Sequence, residues 1–331
     1  MTMVDGDTVK AYISSLYRLL LKREPDEAGF QAWVASFDSA GMAGFENALE
    51  GFVRSSEFSW LYYLTRYDSA FEGCGYLDCD SLSDDIINEL FEKTSIYWRG
   101  TASDPQELYR SVLISDAYRG DLSSGAINDF LATGQHDVDR IGRICDQVGF
   151  SFADCKTFLE YGCGVGRLAV NLPSTIRKVN CVDFSAAHLR EARENVRRRG
   201  LSEAVYSFYE IAAFHDLHKL PRGQDIIHSF IVLQHNTPPV IEKTIRTLLG
   251  LLSPGGIAIL HLPIAKARYE FNAAKYLRDE NSGRFMEMHI LPRANLYRLA
   301  NGSGCKIVYS FCDGGCGEDI YSEIVVYQRL Q

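Results

Sequence analysis

The sequence lacks an uninterrupted apolar run of the length that crosses a bilayer, about 20 residues, so no membrane span is expected. Its first ten residues contain neither a basic stretch nor an apolar core, and they are therefore not expected to act as a secretory signal. These absences predict a cytoplasmic protein. Basic residues are also in deficit, since 34 lysines and arginines oppose 43 aspartates and glutamates, for a net charge of −9. Because nucleic-acid binding requires a basic face, no nucleic-acid partner is expected.

Regularly paired cysteines are missing as well. The nine cysteines are odd in number and scattered, which favours reduced thiols over a disulfide framework. Cys74 with Cys79 and Cys312 with Cys316 could together offer four thiolates to zinc. Their spacing is not that of a tight zinc knuckle and no histidine lies beside either pair, so free thiols are expected and no metal is predicted.

Residues 1–60 are predicted to form a small helical domain. Apolar residues recur at steps of three and four over residues 9–20, which is typical of an amphipathic helix. Pro25 is predicted to lie in the first turn of a second helix, and a third helix is expected to end near residues 55–58. The aromatic and acidic stretch that follows is interpreted as a linker over residues 61–84.

Motifs within this helical segment resemble a known family. They are Leu16-Tyr17-Arg18-Leu19-Leu20, Arg23-Glu24-Pro25-Asp26, Gly29, Trp33 and Ser55-Ser56-Glu57-Phe58. They are similar to a short helical domain family of unknown function that recurs in bacterial surface and glycan-related proteins. The resemblance implies a structural or docking role, with a protein partner bound through these helices.

After residue 155, short apolar runs typical of strands alternate with helical stretches. Strands are predicted over residues 157–160, 179–183, 205–209, 225–233 and 257–262, and helices over 167–171, 186–199 and 240–252. This alternation indicates an α/β fold with a doubly wound, mostly parallel sheet. Two further runs, at 306–311 and 322–327, predict an antiparallel edge at the C-terminus.

A glycine-rich turn follows the first of these strands and precedes a predicted helix. It reads Glu160-Tyr161-Gly162-Cys163-Gly164-Val165-Gly166-Arg167. Glycine at such a turn permits a close approach of the backbone to a ligand. The spacing differs from the nicotinamide and flavin fingerprint and from the phosphate-binding loop, which disfavours a nucleotide hydrolase. The residues predicted to bind a cofactor here are Glu160, Gly162, Cys163, Gly164, Gly166 and Arg167.

A carboxylate ends the next predicted strand. Asp183 is placed where an acidic residue of a Rossmann-like site accepts hydrogen bonds from ribose hydroxyls. Phe184 is predicted to pack on the adenine, and Ser185 to cap the following helix. Asp183 could instead be only an acid at a helix N-terminus. The glycine turn before it favours the cofactor interpretation.

Residues 155–263 resemble the class I S-adenosylmethionine-dependent methyltransferase superfamily. The resemblance rests on the glycine turn, on Val182-Asp183-Phe184-Ser185, and on two later motifs at 225–235 and 252–256. It implies a Rossmann-like sheet, S-adenosylmethionine as the cofactor, and two more binding residues, Asp216 beside the adenine and Gln234. In one bacterial branch of this superfamily a helical cap precedes the core. The positions Phe130, Gly134 and Asp137 resemble that cap. The methyltransferase domain is therefore predicted at 85–331, with its core at 155–331, after a small all-α domain.

Four histidines are candidates for a general base, which would assist a hydroxyl acceptor. They are His215, His235, His261 and His289. His235 follows the fourth strand, at the edge where doubly wound sheets bind ligands. Glu287 and His289 form a base with its orienting carboxylate if their segment is extended rather than helical. The predicted catalytic residues are therefore His235, Glu287 and His289.

The expected acceptor is a small-molecule hydroxyl, such as that of a sugar or glycan, because the family that the N-terminal helices resemble recurs in glycan-related proteins. Methylation of an amine or protein side chain remains open, as does a non-catalytic role in cofactor binding. A divalent metal held by Asp225, His235 and Glu287 is conceivable, but no spacing requires it and none is predicted.

Overall fold

The computed structural model describes residues 5–21, 23–40, 42–55, 58, 77–266, 269–313, 316 and 320–331. Three features of the sequence analysis lie outside these residues: most of the predicted linker, Cys74 of the zinc alternative, and Ser56-Glu57 of the N-terminal motif. Within the described residues, no helix combines the length and the apolar character needed to span a bilayer.

Three helices form the N-terminal unit: α1 (Gly6–Leu20), α2 (Glu27–Ala40) and α3 (Ala43–Val53). Their cluster of buried residues comprises Val9, Ile13, Leu16, Tyr17, Leu21, Phe37, Ala48 and Phe52. The placement of Pro25 in the first turn of α2 is wrong, because the helix begins at Glu27. Asp26 lies between them and accepts a hydrogen bond from the Gly29 amide at 2.8 Å, as a capping residue does.

In the part of the chain that the structure describes, three further α-helices lie between the N-terminal unit and the sheet: α4 (Asp84–Ser103), α5 (Ser124–Ala132) and α6 (Gly134–Gln147). Ser83 caps α4, and its hydroxyl accepts a hydrogen bond from the Ile86 amide. Residues 105–112 form turns.

Seven strands form one sheet: β1 (Thr157–Tyr161), β2 (Lys178–Asp183), β3 (Tyr206–Glu210), β4 (Gln224–Ser229), β5 (Leu252–Lys266), β6 (Cys305–Cys312) and β7 (Ile320–Arg329). Their order is β3-β2-β1-β4-β5-β7-β6. Strands β1 to β5 pair in parallel, and β7 runs antiparallel to both β5 and β6. The predicted fold class, a Rossmann-like doubly wound sheet with an antiparallel C-terminal part, is confirmed.

Helices cover both faces of this sheet. The remaining four are α7 (Ala186–Arg198), α8 (Pro238–Leu251), α9 (Ala273–Arg278) and α10 (Arg293–Gly302). Side chains that neighbour each other in a strand point to opposite faces, so Phe158 and Leu159 of β1 enter two different cores. Leu159 packs with α4, α8 and α10, and Phe158 packs with α6 and α7. The strand order reverses between β1 and β4, which is where doubly wound sheets bind ligands.

Two segments at this reversal differ from the sequence prediction. No α-helix follows the glycine turn, because the chain forms turns and a short 3-10 helix, Ala169–Asn171, before Pro173. The predicted strand 225–233 ends at Ser229. Ile231 has a φ of 55°, in the left-handed region, and this ends the extended chain before a second 3-10 helix, Leu233–His235.

Gly134 provides a test of the packing beneath the glycine turn. A Cβ added there would overlap the carbonyl group of Arg167, whereas a Cβ at Gly142 of the same helix would lie 3.7 Å from Phe152 Cδ1 in ordinary contact. We expect Gly134→Ala to lower the free energy of unfolding by about 1–3 kcal/mol through overpacking. Gly142→Ala should raise it by about 0.5–1 kcal/mol through better helix propensity. Urea unfolding measures both, and equal stability of the two variants would contradict the close contact.

Candidate active site

The glycine turn and the end of β2 meet directly. Gly162, Gly164 and Gly166 have φ values of 78°, 53° and 78°, in the region that favours glycine. The Gly164 amide donates a hydrogen bond to Asp183 Oδ2 at 2.9 Å. The Gly162 and Cys163 amides donate to the carbonyl of Val182 at 2.8 and 3.0 Å. The two elements of the predicted cofactor site therefore form one continuous surface.

Packing within the protein also leaves no room for a side chain at two of these glycines. A Cβ at Gly162 would overlap Val232, which follows β4, and a Cβ at Gly164 would lie 2.7 Å from Val112 Cγ2. Side chains from two other parts of the chain therefore touch the turn. The approach of a ligand alone, which is what the sequence predicts, does not fully explain these glycines.

Asp183 is buried and organises the start of α7. Its Oδ1 atom accepts a hydrogen bond from the Ser185 amide at 2.9 Å and lies 3.4 Å from His188 Nδ1. Ser185 Oγ accepts from the His188 amide, so the predicted cap is present. On its other side, His188 Nε2 lies 2.9 Å from Ser111 Oγ. Because a carboxylate offers about four acceptor positions, Asp183 keeps acceptor capacity for a ligand.

Glu160 is a buried carboxylate with one unsatisfied oxygen. Among the described residues, nothing hydrogen bonds to its Oε2 atom. Burial raises the pKa of Glu160 to about 8, although the positive charge of Arg167 opposes this. Arg167 itself contacts Asp137 and lies 3.2 Å from Thr133 Oγ1, and Arg140 also pairs with Asp137 at 2.8 Å. A positively charged ligand group would satisfy the free oxygen.

On the other side of Asp183, helix α4 covers the ends of β2 and β3. The ring of Phe91 in α4 lies 6.3 Å from that of Phe184 and 5.8 Å from that of Phe214. Arg99 donates hydrogen bonds to the carbonyls of Phe184 at 3.4 Å and Ala212 at 2.5 Å. Arg99 was missed because it lies 113 positions before Ala212 and no motif marks it.

Asp216 is engaged within its own turn. Its Oδ2 atom accepts a hydrogen bond from the Ala213 amide at 2.9 Å, and its Oδ1 atom accepts one from Lys219 at 2.5 Å. These bonds, with that from Lys219 the strongest influence, hold the pKa of Asp216 below its ordinary value. The neighbouring His215 is exposed and lies 3.6 Å from the same carboxylate, away from the other candidate bases.

His235 has one ring nitrogen fixed and the other available. Its Nδ1 atom lies 2.9 Å from the carbonyl oxygen of Glu287. Because a carbonyl oxygen only accepts, we assign the proton to Nδ1 and the lone pair to Nε2. Burial lowers the pKa of His235 to about 4, so the ring is neutral at pH 7. The ring of Trp98, next to Arg99 in α4, lies 4.6 Å from it.

The side chains of Glu287 and His289 contact each other, as predicted for an extended segment. The chain from 286 to 292 is not helical, and His289 Nε2 lies 3.1 Å from Glu287 Oε2. Tyr269 Oη lies 2.7 Å from His289 Nδ1, and Tyr276 donates to Glu287 Oε2 at 2.6 Å. Burial would raise the pKa of Glu287, but the hydrogen bonds from His289 and Tyr276 outweigh it and lower that pKa. Both nitrogens of His289 are thus occupied, whereas His235 Nε2 remains open.

Gln234 links this pair to β5. Its carbonyl accepts a hydrogen bond from the His289 amide at 2.7 Å, and its Oε1 atom lies 3.1 Å from His261 Nδ1. His261 Nε2 lies 3.0 Å from Asp313 Oδ2, and the imidazole is fully buried. His261 therefore holds Gln234 in place and is not exposed to an acceptor.

Two family models match parts of the chain. Residues 158–256 match the family model described as "Methyltransferase domain", and residues 5–62 match the one described as "Domain of unknown function (DUF4214)". No curated protein matches the chain.

Solved structures of similar fold include the magnesium protoporphyrin IX methyltransferase of Synechocystis PCC 6803 with bound S-adenosylhomocysteine. It is 18% identical, the match covers 74% of this chain and 98% of that chain, and the TM-score is 0.45. The N-methyltransferase NodS from Bradyrhizobium japonicum WM9, also with S-adenosylhomocysteine, is 12% identical. That match covers 74% of this chain and 100% of that chain, with a TM-score of 0.46.

Residues 158–256, which run from β1 into β5, therefore match a methyltransferase domain. The site fits the predicted cofactor, S-adenosylmethionine, on two observations. The unsatisfied oxygen of Glu160 suits a positively charged group. Carboxylates, rather than lysines, line the glycine turn, which suits a sulfonium compound without phosphates.

The raised pKa of Glu160 gives a test by stability. The folded protein holds this proton up to about pH 8, whereas the ordinary value is 4.5. Between these values the folded state binds more protons than the unfolded state, so the free energy of unfolding falls as the pH rises. Glu160→Gln cannot ionise and should gain stability relative to the wild type from pH 5 to pH 8, measured by urea unfolding. Glu270→Gln, at an exposed position, is the control. A stability difference that stays constant over this range would contradict the assignment.

Proposed function

We propose that this enzyme methylates a hydroxyl oxygen of a small molecule, such as a sugar or glycan hydroxyl, with His235 as the general base. The observation that carries the proposal is the geometry of His235. Its Nδ1–H is fixed by the Glu287 carbonyl, and no described residue hydrogen bonds to its Nε2 atom, which lies just after β4 at the carboxyl edge of the sheet. A base must hold its lone pair in a defined direction, and this hydrogen bond provides that direction.

The cofactor residues have distinct roles in this proposal. When bound, S-adenosylmethionine supplies an electrophilic methyl group on a positively charged sulfur. Asp183 accepts hydrogen bonds from the ribose hydroxyls, and Phe184 packs against the adenine. The ammonium group of the cofactor would favour the ionised form of Glu160 and pair with its unsatisfied oxygen. The backbone of Gly162 to Gly166 lies along the cofactor, and Arg167 fixes Asp137 beneath the turn.

The protonation state of His235 allows it to accept a proton. Burial lowers its pKa to about 4, so the ring is neutral at pH 7. The hydroxyl becomes strongly acidic as its oxygen bonds to the methyl group, so a weak base can take the proton at that stage.

Glu287, His289 and Tyr269 act as positioning residues. Their hydrogen bonds fix the extended segment whose carbonyl orients His235. His289 is not the base in this proposal, because both of its ring nitrogens are engaged. Of the three residues predicted to be catalytic, His235 is therefore the base, whereas Glu287 and His289 position it.

The preference for a sugar or glycan rests on the family of the N-terminal helices. We propose that these helices dock a partner and that the enzyme works in the cytoplasm. The buried core that α1, α2 and α3 share supports a unit with a fold of its own.

A pair of histidine variants tests the base. His235→Asn should bind S-adenosylhomocysteine like the wild type in calorimetry, while turnover with a hydroxyl acceptor falls by about 10²–10⁴. His215→Asn, at an exposed histidine, is the control and should retain turnover. Acceptors are screened with a labelled methyl donor against matched panels of alcohols and amines. Full turnover in His235→Asn, or methylation of amines alone, would remove the proposal.

A further inference from the structure

Exposed apolar side chains border the segments that position His235. Ile231 is 42% exposed, Phe285 is 68% exposed and Met286 is 42% exposed. Phe285 and Met286 directly precede Glu287, whose carbonyl bonds to His235. Ile231 immediately precedes the turn that carries His235, whose amide bonds to the carbonyl of Val232. Exposed apolar residues therefore adjoin, along the chain, both segments that position His235, and the ring of Trp98 lies 4.6 Å from the His235 ring.

Ile231 is unfavourable in the ligand-free protein for two reasons. Its φ of 55° lies in a region that a β-branched residue rarely adopts and that costs about 1–3 kcal/mol. Its side chain is also 42% exposed, so burial offsets only part of this cost. Val232, the next residue, lies against Gly162. A strained and partly exposed isoleucine beside the candidate base points to a contact made by a ligand.

We propose that the acceptor carries an apolar group next to the hydroxyl that is methylated, and that Ile231, Phe285 and Met286 contact this group. The inference rests on the proposed function, because His235 Nε2 marks the position of the hydroxyl. The acceptor is then an amphipathic compound, such as a sugar attached to an alkyl chain or an aromatic ring, rather than a free sugar.

Alkyl glucosides test this class without knowledge of the natural acceptor. Calorimetry compares methyl, hexyl and phenyl glucoside on the full-length protein saturated with S-adenosylhomocysteine. Burial of one methylene group strengthens binding up to roughly fourfold, so hexyl glucoside should bind at least about tenfold more tightly than methyl glucoside. Tighter binding of the phenyl compound would identify a ring as the group, and tighter binding of the hexyl compound would identify a chain. Equal affinity for all three, or binding of none, would overturn the inference.

Variants assign the effect to the three side chains. Phe285→Ser combined with Met286→Ser should reduce the preference for hexyl over methyl glucoside to below about threefold, as expected when apolar contacts are lost. Leu330→Ser is the matched control, because Leu330 is 52% exposed at the far end of the chain. Ile231→Gly should relieve the strain and raise the midpoint of urea unfolding, yet it should also weaken hexyl glucoside binding. An undiminished preference in these variants would contradict the proposed contacts.

Turnover on the same compounds separates this inference from the proposed function. If hexyl glucoside binds more tightly but no hydroxyl is methylated, the apolar contact is supported and the proposed function is contradicted. If a hydroxyl is methylated but the three glucosides bind equally, the proposed function is supported and the apolar contact is contradicted.

Discussion

One buried hydrogen bond, from the Gly164 amide to the Asp183 carboxylate, joins the glycine turn to the end of β2. Hydrogen bonds to charged groups are among the stronger contributors to stability, at about 1.5–3 kcal/mol. Gly164 adopts a positive φ in this turn. Asp183 also accepts a hydrogen bond from the amide of Ser185, which caps α7, so the turn and the start of the helix share one acceptor at the end of β2. The proposed cofactor site is built around that shared carboxylate.

Helix α4 connects this cofactor half to the acceptor half. Within one turn of the helix, Arg99 bonds to the ends of β2 and β3, and Trp98 packs on His235. An earlier residue of the same helix, Lys93, bonds to the carbonyls of Leu277 and Asp279, in the segment that leads to Glu287. The position of His235, the proposed base, is therefore coupled to the ends of β2 and β3 through one helix.

Periodicity and glycine spacing predicted the parallel strands, the glycine turn and Asp183, because local sequence sets strand length and backbone freedom. They failed where long-range packing decides the structure. The extended run after Ser229 is broken by the positive φ of Ile231, which no propensity indicates. Arg99 and Trp98 act on residues more than a hundred positions away, and Tyr269 acts on His289 through a turn of the chain. The Glu287–His289 pair was predicted only on the condition of an extended segment, which the fold supplies.

The most direct measurement is a calorimetric titration of S-adenosylhomocysteine into the wild type and into Asp183→Asn. We expect saturable binding at one site in the wild type, and at least about tenfold weaker binding in the variant, since it lacks the carboxylate that accepts from the protein and is proposed to accept from the ribose. Equal affinity in the two proteins, or no binding to the wild type, would contradict the claim that Asp183 and the glycine turn hold the cofactor.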